Sequence, residues 1–204
     1  HAAIPSLLAV SAVHQRLVRE GLRLGTSLIV ETGEARDDHQ VATLLGFGAN
    51  AVCPYGAFEA VRRWAEEHEP QHSPEAGIRN VVRTLEKGLL KILSKMGIAT
   101  SRSYQGAQLF EAIGLDRDLV DRHFTGTPVL LEGHGIAEIA RDVLSRHRHA
   151  YGEAFGGLDE GGAHRYRRSG EAHAFEPPVV KALHALIRSG ETLDARRYSE
   201  LIEQ

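Results

Sequence analysis

Residues 87 to 115 read Lys-Gly-Leu-Leu-Lys-Ile-Leu-Ser-Lys-Met-Gly-Ile-Ala-Thr-Ser-Arg-Ser-Tyr-Gln-Gly-Ala-Gln-Leu-Phe-Glu-Ala-Ile-Gly-Leu. The small apolar segment Gly97 to Thr100 predicts a short strand, and the run from Gln105 to Ile113 predicts a helix. A polar loop joins the two. Loops at the carboxyl ends of strands hold flavins and substrates in α/β proteins, so this stretch indicates both a fold class and a ligand site.

The residues before this stretch alternate between helical and strand-like patterns. Pro5 opens a helix whose apolar residues keep helical spacing until Gly21. After it come a strand at Ser27 to Val30, a helix at Ala35 to Leu45, a strand at Ala51 and Val52, and a helix to about His68. Because a parallel crossover needs a helix-length connection, this alternation predicts an α/β fold built from parallel βα units.

A segment rich in proline and polar residues, Glu69 to Gly77, is the best candidate for a linker. Beyond it, the sequence predicts helices at 78 to 93, 116 to 124 and 136 to 149, with a glycine-rich loop at 125 to 135. A polar hairpin or extended arm is predicted at 163 to 175. Two further helices follow, one that Pro177 opens and a short final one that Asp194 caps. The weak point of the first of these helices is Gly88, since glycine costs about 1 kcal/mol relative to alanine.

Composition excludes several classes of function. The chain has 204 residues, 42% of them hydrophobic, and a net charge of -3, so nothing in its charge indicates nucleic acid or an anionic membrane as a partner. Its longest apolar runs are too short to span a bilayer. Cys53 is the one cysteine, so an intrachain disulfide is impossible and a cysteine-ligated iron-sulfur cluster needs ligands from elsewhere. A reducing, cytoplasmic location is the expectation.

Several segments, taken in order, resemble the large chain of glutamate synthase. Ala3 to His14, Glu31 to Arg36 and Leu45 to Ala49 resemble the end of that family's central domain. Lys87 to Leu115 and Phe124 to Thr127 resemble the start of its FMN-binding synthase domain, and Tyr166 to Phe175 is similar to the arm before the rest of the barrel. The resemblance implies a central-domain part at residues 1 to 73 and the first part of a TIM-type FMN-binding barrel at 78 to 204.

The resemblance implies that the intact enzyme converts glutamine and 2-oxoglutarate to two glutamates, and that it uses FMN and a 3Fe-4S cluster. Electrons would come from a small subunit that oxidises NAD(P)H, or from ferredoxin. The family's N-terminal glutaminase cysteine has no counterpart here, and the three cluster cysteines are expected beyond Gln204. Since the first residue is His1, the expectation is a piece of a longer chain that holds no cofactor and is inactive by itself.

The same resemblance places candidate site residues on the quoted stretch. Met96, Gly97, Ile98 and Ala99 would lie under the flavin, with Ala99 standing where the family is expected to have serine. Gln108 and Glu111, read as one helical turn apart, would face the substrate. The alternative for both is a solvated helix end, and for residues 96 to 99 it is a buried strand. No catalytic residue and no metal ligand is assigned to this chain.

Other polar clusters favour structural roles. The acidic run from Glu34 to His39 lacks the spacing of a metal motif and suits the first turn of a helix, where carboxylates interact with the helix dipole. The pairs His147 with His149 and His164 with His173 lack the spacing of a zinc hydrolase. The missing cysteines leave open a second hypothesis, a non-catalytic remnant or split-gene fragment that acts as an interaction module.

Overall fold

A computed structural model describes residues 2–68, 73–152, 161–162, 165–168, 170–173 and 175–189. The chain divides into two compact units, residues 1–151 and 152–204. The first unit contains helices α1 (Ser6–Arg19), α2 (Asp38–Gly46), α3 (Tyr55–His68), α4 (Pro74–Lys95), α5 (Ser101–Tyr104), α6 (Arg117–His123) and α7 (Ile136–Tyr151), a 3₁₀ turn (Arg23–Gly25), and strands β1 (Ile29–Glu31), β2 (Ala51–Cys53), β3 (Ala112–Leu115) and β4 (Val129–His134).

The first βα unit runs from β1 through α2 to β2. The two strands are parallel, with Ile29 opposite Ala51 and Glu31 opposite Cys53. Asp37 caps α2, since its carboxylate accepts a hydrogen bond of 2.8 Å from the Gln40 N–H. The predicted helix and strands of this region are therefore confirmed, as are α1 and α3.

The second βα unit runs from β3 through α6 to β4. Its strands are also parallel, and the register shifts twice between Ala112 opposite Val129 and Leu115 opposite His134. Gly133 of β4 approaches the Gly114 carbonyl so closely that a Cβ at residue 133 would lie 2.5 Å from that oxygen. The α/β fold with small parallel sheets is thus confirmed, although each described sheet has two strands.

The core of the first unit has two apolar clusters. The larger joins α1, α2, the end of α4 and α5, and its buried members are Val10, Ala35, Val41, Ala42, Leu44, Leu45, Ala49, Leu93 and Tyr104. The smaller is formed by Ala112, Leu119, Val120 and Phe124. Leu7 of α1 packs against both clusters, so α1 connects the two βα units.

Three predicted elements in the middle of the chain are wrong. Residues 97 to 100 are not a strand: α4 ends there, in a turn at Gly97 with φ of 67°. Residues 105 to 113 are not a helix, since a loop leads into β3. The glycine-rich stretch 125 to 135 is not all loop, because it contains β4.

The second unit contains one described helix, α8 (Pro177–Ser189), which begins at the predicted pair of prolines. No strand is found among the described residues of the predicted hairpin or arm, 163 to 175, of which 163, 164, 169 and 174 lie outside the described set. The helix predicted after Asp194 lies outside the described residues as well. Among the helices of the described residues, none combines the length and the apolar content that a membrane-spanning segment requires.

Candidate functional site

The four residues predicted to lie under a flavin form the end of α4 and the turn after it. The Gly97 N–H donates to the Ser94 carbonyl at 3.1 Å, and the Ile98 N–H donates to the Leu93 carbonyl at 2.9 Å. Glycine with positive φ and these backward hydrogen bonds are the usual way to end a helix. Met96 is half exposed and Ala99 is exposed, whereas Ile98 packs against the larger core cluster.

A loop of seven residues, 105 to 111, follows the short helix α5 and is fixed to the turn between α2 and β2. The Gln105 side-chain amide donates to the Ala49 carbonyl at 2.6 Å, and the Gly106 N–H donates to the Gly46 carbonyl at 3.0 Å. Tyr104, the last residue of α5, is buried, and this burial raises the pKa of its hydroxyl. Two hydrogen bonds and a buried aromatic ring thus hold the loop against the first βα unit.

Gln108 and Glu111 both lie in this loop, so the helical spacing expected to align them is wrong. Gln108 has φ of 54°, and it is the one described non-glycine residue with positive φ. Its side-chain amide lies against Gly126, where a Cβ would come within 2.8 Å of Gln108 Nε2. Glu111 is exposed immediately before β3. Both residues therefore precede the strand, at its amino end, and not at the carboxyl end of a strand as predicted.

Gln108 lines a small pocket between the two βα units. The pocket encloses about 80 Å³. Its walls come from α1, the end of α2, the loop after α5 and the loop after α6, and their polar members are His14, Gln15, Tyr104, Gln108, Thr125 and Thr127. Phe47 and Phe110, whose ring centroids are 5.4 Å apart, supply part of its apolar wall. Four segments distant in sequence thus converge on one cavity that has both polar and apolar walls.

Arg23 orients His14 in this pocket. The Arg23 Nε–H donates to His14 Nδ1 at 2.9 Å, and the same guanidinium donates to the Thr26 and Gly48 carbonyls and to Asn50 Oδ1. Burial, and then the neighbouring Arg23 charge, lower the pKa of His14. Since arginine can only donate, Nδ1 of the neutral ring is the acceptor and Nε2 carries the hydrogen.

Glycine at position 48 makes this arrangement possible. Gly48 has φ of 118°, and a Cβ there would come within 2.5 Å of His14 Nδ1. Sequence reasoning did not identify His14 or Thr127 as pocket residues: both lie in segments that resemble the family, but the resemblance gives neither of them a role. The local feature that marks this place in the sequence is Gly46-Phe47-Gly48, where α2 ends and a turn follows.

The acidic run 34 to 39 has structural roles, although only Asp37 and Asp38 lie at the start of α2 as the sequence favoured. Glu34 Oε2 accepts hydrogen bonds from the backbone N–H of Ser6, at 2.7 Å, and from its hydroxyl, at 2.6 Å. Asp37 caps α2 as described above. Over the described ranges, no group of three His, Cys, Asp or Glu side chains is arranged to hold a metal ion. The lone thiol, Cys53, is half-buried at the end of β2.

Comparison with known proteins indicates one family for this chain. The family model described as "Glutamate synthase central domain" matches residues 1–116. The "Glutamate synthase [NADPH] large chain" of Bacillus subtilis (strain 168) is 40% identical over 202 residues, which are 98% of this chain and 13% of the relative. "Ferredoxin-dependent glutamate synthase 2" of Synechocystis sp. is 44% identical over 194 residues, 90% of this chain and 12% of the relative.

The corresponding large chain of Azospirillum brasilense is 41% identical over 207 residues, covering 100% of this chain and 14% of the relative. The chain thus spans about one eighth of the length of these relatives. The central-domain match continues past the division predicted at residues 73 to 78, and α4, which lies across that division, packs against both α2 and α3. By the match over residues 1–116, the chain belongs to the glutamate synthase central domain family.

Proposed function

We propose that this chain is a section of a glutamate synthase that converts L-glutamine and 2-oxoglutarate to two molecules of L-glutamate. The observation that carries the proposal is the match to glutamate synthase large chains over at least 90% of this sequence at 40 to 44% identity. The cytoplasm is the proposed location. In this proposal the electron donor is either an NAD(P)H-oxidising small subunit or ferredoxin. Of the relatives, one is named for NADPH and another for ferredoxin.

The section would contribute one wall of the FMN and 2-oxoglutarate site. Met96 to Ala99 suit such a wall in part, because the Met96 side chain is half exposed and a Cβ built on Gly97 would meet open space. Gln108 and Glu111 are the proposed substrate contacts. When bound, FMN would supply the reducing equivalents. Residues 96 to 99 would exclude water at the ring edge. Gln108 would offer a hydrogen-bond donor to the substrate, whereas the Glu111 carboxylate could only accept a hydrogen bond.

The iron-sulfur cluster of the family does not fit the donors in this chain. Such a cluster needs three cysteine thiolates, and the sequence contains only Cys53. Its ligands are therefore proposed to lie in other parts of the intact enzyme. The rest of the large chain is the first proposed partner, and residues 78 to 204 are proposed as the opening of the FMN-binding barrel.

One experiment tests the proposal directly. The reading frame is extended on both sides of this segment, and the whole product is expressed and assayed for glutamate formed from glutamine and 2-oxoglutarate with a reduced donor. We expect glutamate to form only when both substrates are present. Stop codons close to both ends would contradict the proposal and favour the non-catalytic remnant acting as an interaction module.

Flavin binding by the isolated chain is the complementary test. We expect the purified 204-residue chain to lack stoichiometric FMN, because residues 96 to 99 are a helix end and not an enclosing cavity. An absorbance spectrum with one flavin per chain would contradict this.

A further inference from the structure

We propose that the pocket lined by His14, Gln108 and Thr127 binds a small carboxylate. The inference deepens the ligand-contact role proposed for Gln108 and rests on that part of the proposed function. It assigns a binding role to His14 and Thr127, which the resemblance to the family does not single out. Its support comes from the position of the loop, the backbone of Gln108, the chemistry of His14 and the charge around the pocket.

The loop that carries Gln108 is held in place from outside the pocket. Gln105 and Gly106 bond to the carbonyls of Ala49 and Gly46, and the Tyr104 and Phe110 rings pack edge to face with centroids 6.3 Å apart. These contacts occupy the residues on either side of Gln108. The Gln108 side chain itself makes no hydrogen bond to another described residue, so its amide is available to a ligand.

Gln108 adopts the left-handed conformation that glycine or asparagine would adopt with less strain. A non-glycine residue with positive φ persists only when its surroundings fix it, and such residues cluster at ligand sites. The loop already contains a glycine two residues earlier, Gly106. If residue 108 only had to form a turn, glycine would be the simpler choice there as well. The strain suggests that the side chain is required.

His14 supplies a fixed hydrogen-bond donor. Because Arg23 donates to Nδ1, the hydrogen of the neutral ring lies on Nε2, which makes no hydrogen bond to any described residue. A partner at one ring nitrogen sets which hydrogen-bond role the other can play. Arg23 thus positions His14 as a neutral donor toward an acceptor atom.

The charge around the pocket favours an anion. No aspartate or glutamate lines it, and the Arg23 guanidinium lies directly behind His14. The His14 N–H, the Gln108 amide and the Thr127 hydroxyl can all donate, which suits the two oxygens of a carboxylate. A volume of 80 Å³ exceeds the roughly 10 to 15 Å³ that one water needs, and it fits a carboxylate with a short carbon stem.

The test is a titration of the ¹⁵N-labelled 204-residue chain with acetate, followed by NMR. Acetamide, a neutral molecule of the same shape, and sodium chloride are titrated in parallel. We expect acetate to shift the Gln108 side-chain amide and the His14 ring resonances saturably, with a Kd of about 1 to 10 mM, and acetamide to bind at least tenfold more weakly.

Variants make the test specific. Gln108→Glu places a second carboxylate in the pocket and should weaken acetate binding at least tenfold, and Thr127→Val should weaken it about threefold through loss of one donor. Thr84→Val, on the exposed face of α4, is the matched control and should leave binding unchanged. Circular dichroism confirms that each variant is folded before it is compared.

Two results would overturn the inference. One is the absence of a saturable shift with acetate up to about 100 mM, and the other is equal binding of acetate and acetamide. Neither result bears on glutamate formation by the longer chain, so a failure of this inference can be told apart from a failure of the proposed enzyme activity.

Discussion

Asp38, at the first position of α2, packs directly on the backbone of α4 at Gly88, where a Cβ would overlap the Asp38 carboxylate. Helix α3 approaches α4 in the same way, since a Cβ on Gly77 of α4 would lie 2.7 Å from the Val61 Cγ1 atom of α3. Glycines along α4 therefore let α2 and α3 come close to it. Gly88 is better described as a packing position than as a weak point of the helix.

The substitution Gly88→Ala tests this packing. Alanine should raise the helix propensity by about 1 kcal/mol, but overpacking typically costs about 1 to 3 kcal/mol, so we expect a net loss of stability. Chemical denaturation measures the free energy of unfolding. Gly25→Ala is the control, because φ at Gly25 is not positive and nothing lies within 4 Å of a Cβ there. A more stable Gly88→Ala variant would refute the close contact.

A second prediction concerns the cap that joins α1 to the loop after β1. Glu34 accepts both the backbone N–H and the hydroxyl of Ser6 at the start of α1, where a negative charge also interacts with the helix dipole. Glu34→Gln should therefore lower the free energy of unfolding by about 1 kcal/mol. Glu31→Gln, at the exposed end of β1, is the matched control. An equal effect of both substitutions would show that only net charge matters.

Acidification should destabilise the first unit through two histidines. Burial lowers the pKa of His14 and of His123 in the folded chain, and neighbouring arginines lower it further. The unfolded chain then binds protons first, so stability is lost as pH falls below 6.5, the ordinary pKa of histidine, and continues to fall down to the pKa of the folded chain. Denaturation at a series of pH values measures this slope.

His14→Gln isolates one contribution to the pH dependence, because glutamine can still accept from Arg23 but does not titrate. We expect a shallower loss of stability with acid in this variant. Thr84→Val, on the exposed face of α4, does not change a titrating group and should keep the full slope. If the two variants show the same slope, the lowered pKa of His14 does not contribute.

The helices toward the two ends of the chain were predictable from its sequence, whereas the strands and turns in the middle of the chain were not. The helices α1, α3 and α4 carry long apolar periodicity, and the proline pair at 177 marks α8. Ile98 suggested a strand because it is apolar, but it folds back so that its N–H bonds to the Leu93 carbonyl at the helix end. A helix stop and a strand start have the same local composition here.

The strands β3 and β4 were missed for a different reason. Each is short and has a glycine within it, Gly114 and Gly133, and these glycines form a close backbone approach that depends on the pairing of two distant segments. Local sequence patterns contain no information on that pairing. The pocket was missed on the same ground, since His14 and Gln108 are brought together only by the docking of the loop after α5.

The predicted division at residues 73 to 78 leads to a truncation test. Leu85 and Leu89 of α4 pack against the larger core cluster, and Leu7 and Leu8 of α1 pack against the smaller one. Each side of the division thus completes a core on the other side. We expect fragments 1–73 and 78–204 to lack cooperative thermal unfolding when separate, as followed by circular dichroism. Two independently cooperative fragments would support the division as a domain boundary.

The last prediction separates stability from binding at Gln108. Glycine relieves the positive φ of this residue, and a non-glycine residue in that conformation costs about 1 kcal/mol. Gln108→Gly should therefore raise the free energy of unfolding by up to about 0.6 kcal/mol after the entropy of the more flexible unfolded chain is included. The same substitution removes the amide from the pocket and should weaken acetate binding.

The control variant is Gln108→Asn, because asparagine tolerates positive φ but has a shorter side chain. Gln15→Gly would not serve, because Gln15 lies within α1. Gln108→Asn should gain part of the stability and lose binding. A Gln108→Gly variant that is less stable than the parent chain would show that the side chain holds the loop, and the case for a ligand there would fail.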